Sequence, residues 1–125
     1  MPMGITFVKA TIRNPQSPKK MLEEEFLVDS GATYSLVPAS QLKKIGIKPH
    51  RKQEFTLADG TKVTREIGDA IFEFQGVRAA TPIVFGVKGD EPLFGAFSLE
   101  ALGLVLDPFQ RKIHPAKLFL AKARA

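Results

Sequence analysis

Cysteine and tryptophan are absent from the 125-residue chain, and tyrosine occurs once. Without thiols there can be neither disulfides nor thiolate zinc sites. Histidine is almost as scarce. His50 and His114 lie far apart with no ligand spacing around either, so no metal site is expected. No apolar run approaches the roughly 20 residues that cross a membrane. The opening MPMGITFVKA has no basic segment followed by an apolar core, so it does not read as a secretory signal. These absences predict a soluble, cytoplasmic protein with no membrane partner.

What is present is ordinary in amount and informative in order. Hydrophobic residues make up 44% and charged residues 25%, the balance of one globular domain with a real core. The net charge of +5 raises the question of nucleic acid. Its densest stretches, KKIGIKPHRK at 43–52 and the C-terminal KLFLAKARA, do not interleave aromatics with Arg and Lys as a single-strand surface does. Solvated basic loops are the expectation, and no nucleic-acid partner. Lys43 and Lys44 fall at the end of a predicted helix, where cations oppose its dipole.

Most of the chain reads as short strands. In ITFVKATIRNP, Thr6, Val8, Ala10 and Ile12 alternate with Ile5, Phe7, Lys9 and Thr11. NPQSPKK reads as a polar turn, and EEEFLVD as a strand with Phe26 and Val28 on one face and Glu23–Glu25 as a solvated edge. QEFTLADGTKVTREIG reads as two strands joined at Asp59-Gly60, a strong hairpin signal. DAIFEFQG sets Ala70, Phe72 and Phe74 against Ile71, Glu73 and Gln75, and AATPIVFGV supplies another strand. Phe72, Phe74, Phe85, Phe94 and Phe97 are candidate core. This density of short strands predicts an all-β sheet or barrel.

Two segments break the pattern. LKKIGI at 42–47 and LEALGL at 99–104 both space apolar residues as a helix does and end on a glycine suited to the left-handed cap. Each follows an apolar strand and a glycine turn, FLV-Asp29-Ser30-Gly31 in one case and Leu93-Phe94-Gly95 in the other. The chain is predicted to repeat one unit: apolar strand, glycine turn, short helix.

The stretch FLVDSGATYSLVP, residues 26–38, drives an apolar strand into a lone carboxylate. Such placement predicts a partly buried Asp29, which needs hydrogen bonds or neutralisation. Gly31 lets amides approach the carboxylate closely, and Ser30 adds a hydroxyl. A second carboxylate opposite would make a catalyst. Like charges in contact share one proton, so one member can draw a proton from water while the other polarises a carbonyl. No other aspartate reproduces the setting of Asp29: Asp59 is at a hairpin tip, Asp69 and Asp90 are in turns, and Asp107 meets Pro108. A matched pair requires a second copy of the chain, hence a two-fold homodimer with the site on its axis.

Asp29-Ser30-Gly31-Ala32 with its FLV lead, the hairpin Leu57-Ala58-Asp59-Gly60-Thr61, and Leu93-Phe94-Gly95 before a helix occur in that order. In this the chain resembles the retropepsin-like aspartic proteases, the single-domain relatives of pepsin, over about residues 5–114. The resemblance implies one domain over 1–125, a closed or partly open β-barrel with a flap hairpin and one or two short helices, and 115–125 as a C-terminal extension. It implies peptide-bond hydrolysis by paired Asp29 residues and no metal or organic cofactor. Gly31 would present its amide and Ser30 would brace the two loops. Residues 57–61 would cover an extended peptide or protein substrate. The flap departs from the viral pattern in having fewer glycines and a charge at Asp59. A dimeric peptide-binding module without efficient turnover is the alternative on the same fold.

Overall fold

A computed structural model of the chain describes residues 6–107, 109–110 and 112–117. Its strands are β1 (Phe7–Asn14), β2 (Ser17–Val28), β3 (Ser35–Pro38), β4 (Arg51–Thr56), β5 (Lys62–Phe74), β6 (Val77–Gly86), β7 (Leu93–Phe94), β8 (Leu104–Asp107) and β9 (Lys112–Pro115). Helix α1 (Ala39–Lys44) follows β3 and α2 (Ala96–Ala101) follows β7. Strands β1 to β7 form one sheet in the order β1-β2-β7-β3-β6-β5-β4. A short pairing of β1 with β5, Thr11–Arg13 against Ile71–Glu73, bends it into a partly open barrel with β4 outside the ring. Strands β8 and β9 make a separate two-stranded sheet. Among the described residues no helix is long and apolar enough to cross a membrane.

Period-two alternation drives the closure. Ala10 and Ile12 of β1, Phe26 and Val28 of β2, and Ala70 and Phe72 of β5 all turn inward and are buried. Phe26, Phe72 and Phe94 lie within 5.4–5.8 Å of one another, Phe94 meeting the other two edge-on. Each is fully buried, which stabilises the fold by about 3 kcal/mol apiece. The trio therefore ties β7, only two residues long, to β2 beside it and to β5 across the barrel. Phe85 is buried as expected, and Phe74 packs half-buried against the core.

Both helices stop just before the predicted cap glycines, Gly46 at φ 79° and Gly103 at φ 69°, but each begins three residues ahead of its predicted segment, at Ala39 and Ala96. Three further expectations are corrected. The polar turn NPQSPKK shrinks to Pro15-Gln16, because Asn14 organises it: its Oδ1 accepts the Gln16 N–H and its Nδ2 donates to the Ile45 carbonyl. Pairing then jumps from Arg13↔Met21 to Asn14↔Ser17, so Pro18 falls in a bulge where no ladder N–H is needed. The repeated unit is also uneven. Strand β3 intervenes between Gly31 and α1, whereas α2 starts directly after Gly95. Phe97 is not core but 44% exposed, because the buried face of the short α2 is taken by Ser98 and Leu99. Of the expected extension, Pro115 ends β9 and the Ala116 N–H donates to the Gly103 carbonyl; residues 118–125 lie outside the described residues.

A charge cluster sits on the barrel seam. Glu73 Oε1 accepts from Arg13 Nε at 2.7 Å and from Arg78 Nε at 2.8 Å. The Arg13 hydrogen bond, with the positive charges of both arginines, holds the Glu73 carboxyl below the usual glutamate range. A lowered folded value means the stabilisation is present above the unfolded pKa and is lost as pH falls through the folded one. Thermal melting from neutral pH to pH about 3 should show the native chain losing stability in acid. Glu73→Gln is expected to start lower at neutral pH and fall less. Parallel curves would remove Glu73 from the acid sensitivity.

Candidate active site

Strands β2 and β7 run parallel, Leu27 beside Leu93 and Val28 beside Phe94, and both chains leave the sheet at the same end. The Asp29 N–H still reaches the Phe94 carbonyl at 3.0 Å, so the ladder fixes its backbone. Beyond it the chain turns: the Ala32 N–H donates to the Asp29 carbonyl at 3.1 Å, and the Gly31 N–H to Asp29 Oδ1 at 2.9 Å. A Cβ at position 31 would stand 3.2 Å from that oxygen, closer than ordinary contact. The expectation of a partly buried Asp29 is corrected, for in the single chain the side chain is exposed. The apolar ladder ends at Val28, and the turn carries the carboxylate past the end of the sheet.

The turn rests on the second glycine signature. Ala96 and Phe97, the first residues of α2, donate their N–H groups to the carbonyls of Ala32 and Thr33 at 2.7 and 3.0 Å. Beneath them runs a buried relay of hydroxyls. The Gly95 N–H donates to Ser35 Oγ at 2.9 Å, and Ser35 and Ser98 meet at 2.6 Å. Ser98 donates to Thr81 Oγ1, which donates to the Pro82 carbonyl, each at 3.2 Å. Every hydroxyl in this relay is satisfied, so it fastens β3, β6 and α2 together without an orphaned polar group.

Ser35, Ser98 and Thr81 are absent from the sequence-predicted site. A signal for the two serines exists: Tyr34-Ser35-Leu36 after Gly31-Ala32 and Phe97-Ser98-Leu99 after Gly95-Ala96 are the same aromatic-Ser-Leu triplet. The structure brings the pair together, serine to serine and ring to ring, with Tyr34 and Phe97 centroids 6.0 Å apart.

Opposite the turn stands the β4–β5 hairpin. Leu57 N–H donates to the Thr61 carbonyl, Gly60 N–H to the Leu57 carbonyl, and Thr61 N–H to Asp59 Oδ1. Hydrogen bonds from the Thr61 side chain and backbone hold the Asp59 carboxyl below its ordinary value. A cleft of about 530 Å³ separates hairpin and turn. Gly31, Ala32 and Tyr34 form one side, Phe55, Leu57 and Arg65 the other, and Leu93 part of the base. Tyr34 meets Phe55 edge-on at 6.0 Å and so bridges turn and hairpin. Of the predicted hairpin residues only Leu57 lines the cleft; Ala58, Asp59, Gly60 and Thr61 are exposed. Ser30 lines a smaller hollow of about 180 Å³ with Phe97 and Glu100. Phe94 and Gly95 are buried.

The other candidate aspartates are occupied elsewhere. Asp59 caps the hairpin, Asp69 faces His50 at 3.2 Å, Asp90 faces Arg65 at 3.2 Å, and Asp107 accepts the N–H groups of Phe109 and Gln110. Among the described residues no group of three His, Asp or Glu is placed to hold a metal ion.

A family model described as aspartyl protease matches residues 8–85, a span that holds the Asp29 turn and the hairpin. No match is found among curated proteins. Among solved structures, the solution structure of Simian Foamy Virus (mac) protease is similar with a TM-score of 0.52 and 18% identity. The match covers 76% of this chain and 92% of the viral one, and the likeness is one of fold.

Proposed function

Because the chain belongs to the aspartyl protease family and has the fold of a retroviral protease, we propose that it is an endopeptidase working as a two-fold homodimer. Each protomer contributes Asp29. The observation that carries this is the setting of Asp29: a single exposed carboxylate at the end of two parallel strands, held by the Gly31 amide, with every other candidate aspartate engaged elsewhere.

Across the axis the two Asp29 carboxyls keep one proton between them, since like charges in contact do not both ionise cheaply. The ionised member takes a proton from a bound water, whose oxygen forms a bond to the peptide carbonyl carbon. The protonated member gives its proton to the carbonyl oxygen, producing a neutral diol. One carboxyl then protonates the amide nitrogen, the C–N bond breaks, and a diol proton returns to the pair. A carboxylic acid and an amine leave, and the dyad regains its starting single proton. Gly31 orients the carboxylates, Ser30 braces one turn against its counterpart, and residues 57–61 close over an extended substrate through strand-like hydrogen bonds.

Digestion of a peptide library by the purified chain, read by mass spectrometry from acidic to neutral pH, tests the chemistry. Cleavage at defined bonds is expected; none at any pH, from a sample shown to be dimeric, leaves the peptide-binding module instead. Dilution tests the assembly. Below the dimer dissociation constant the rate is expected to fall with the square of protein concentration, because each active site needs two chains. A strictly linear rate down to dissociation would overturn the shared site.

A further inference from the structure

The cleft carries three charged side chains, and two of them cancel. Arg65 on β5 reaches Asp90, in the loop after the neighbouring β6, at 3.2 Å, both side chains largely buried, and Asp90 Oδ2 also accepts the Val87 N–H at 3.0 Å. Glu91, next in the chain, lines the cleft, is exposed, and has no ion-pair or hydrogen-bond partner among the described residues. Apart from Thr33 and Thr56, the remaining side chains of the lining are apolar or aromatic, among them Tyr34, Leu36, Phe55, Val63 and Leu93. Glu91 therefore leaves one uncompensated negative charge in an apolar groove. The chain as a whole carries +5, so its overall field repels a basic peptide and any preference for one has to arise locally.

We propose that Glu91 determines specificity by selecting a Lys or Arg side chain on the peptide held in this cleft, with apolar residues beside it. The inference rests on the peptide cleft of the proposed function. The aliphatic stem of such a side chain can lie along the apolar wall while its cationic end meets the carboxylate. An acidic side chain finds no counterpart there, because Asp90 already engages Arg65. In a two-fold dimer each half of the cleft brings its own Glu91, so basic residues are favoured at matched positions on both sides of the cut.

The test separates binding from turnover. Fluorescent peptides with an apolar frame, carrying Lys, Gln or Glu at each position in turn, are titrated against Asp29→Asn protein, and against the same protein with Glu91→Gln or Glu91→Lys. At the position facing Glu91 the expected order is Lys, Gln, Glu. About tenfold in affinity should separate the extremes, since attraction on one side adds to repulsion on the other. Glu91→Gln is expected to flatten the order and Glu91→Lys to reverse it. Equal affinities for the three peptides at every position, an order that survives Glu91→Lys, or no binding of any peptide would each overturn the proposal. Cleavage of the same peptides by the native chain reports on the proposed function alone. Ordered binding without cleavage would leave Glu91 its role and remove the endopeptidase.

Discussion

Asp29→Asn is expected to fold, to melt within about a degree of the native chain, and to hydrolyse peptides up to about 10⁴-fold more slowly. The first part follows from the single-chain geometry. The side chain is exposed, and its contact is an accepted hydrogen bond from the Gly31 N–H, which an amide oxygen can also accept. Little stability is at stake. The second part follows from the proposed chemistry, where an amide can neither take the proton from water nor share one with its twin. In a mixed dimer one Asn is enough to remove the shared proton, so adding Asp29→Asn protein to native protein should depress activity beyond simple dilution. Matched cleavage rates for native and variant, with contaminants excluded, would show that Asp29 is not the catalyst.

Gly95→Ala is expected to cost about 3 kcal/mol, lowering the melting temperature by roughly 10 °C, and to take activity with it. The backbone there is ordinary, φ −89° and ψ 175°, so the cost is steric and not conformational. A Cβ on residue 95 would lie 2.6 Å from the carbonyl carbon and oxygen of Tyr34 and 3.0 Å from the Ala32 oxygen. These are main-chain atoms, and the groups around them are engaged: the Ala32 carbonyl accepts the Ala96 N–H, and Ser35 Oγ accepts the Gly95 N–H. Relief of the clash has to move the Asp29 turn away from α2. Gly76→Ala, in the turn between β5 and β6, makes the control. There φ is 81° and a Cβ would meet nothing within 4 Å, so the strain is local and costs about 1 kcal/mol. A Gly95→Ala chain as stable and active as Gly76→Ala would mean that the close approach is not what glycine is there for.

The amino-acid sequence by itself determined β1, β4, β5, β6 and the apolar end of β2, because inward apolar residues every second position are a local signal, but not β3, β8 or β9, and it placed both helix ends through Gly46 and Gly103. It also singled out Asp29, since a carboxylate after Phe26-Leu27-Val28 and before Ser30-Gly31 conflicts with the apolar run that delivers it. The length of β2, however, came from the Asn14 side chain reaching the Ile45 carbonyl, a contact across 31 positions. The relay through Ser35, Ser98 and Thr81 likewise joins residues up to 63 positions apart. Its serines sat in a repeated triplet whose meaning depends on the two turns packing face to face. Phe97 shows the converse: phenylalanine in a helix suggests core, but which face of α2 is buried depends on what lies beneath it. The pairing of Arg65 with Asp90, which leaves Glu91 as the uncompensated charge of the cleft, was equally beyond local reading. Hydrogen bonds and ion pairs between distant segments leave no periodicity in a sequence, so only the closed barrel decides which polar side chains meet.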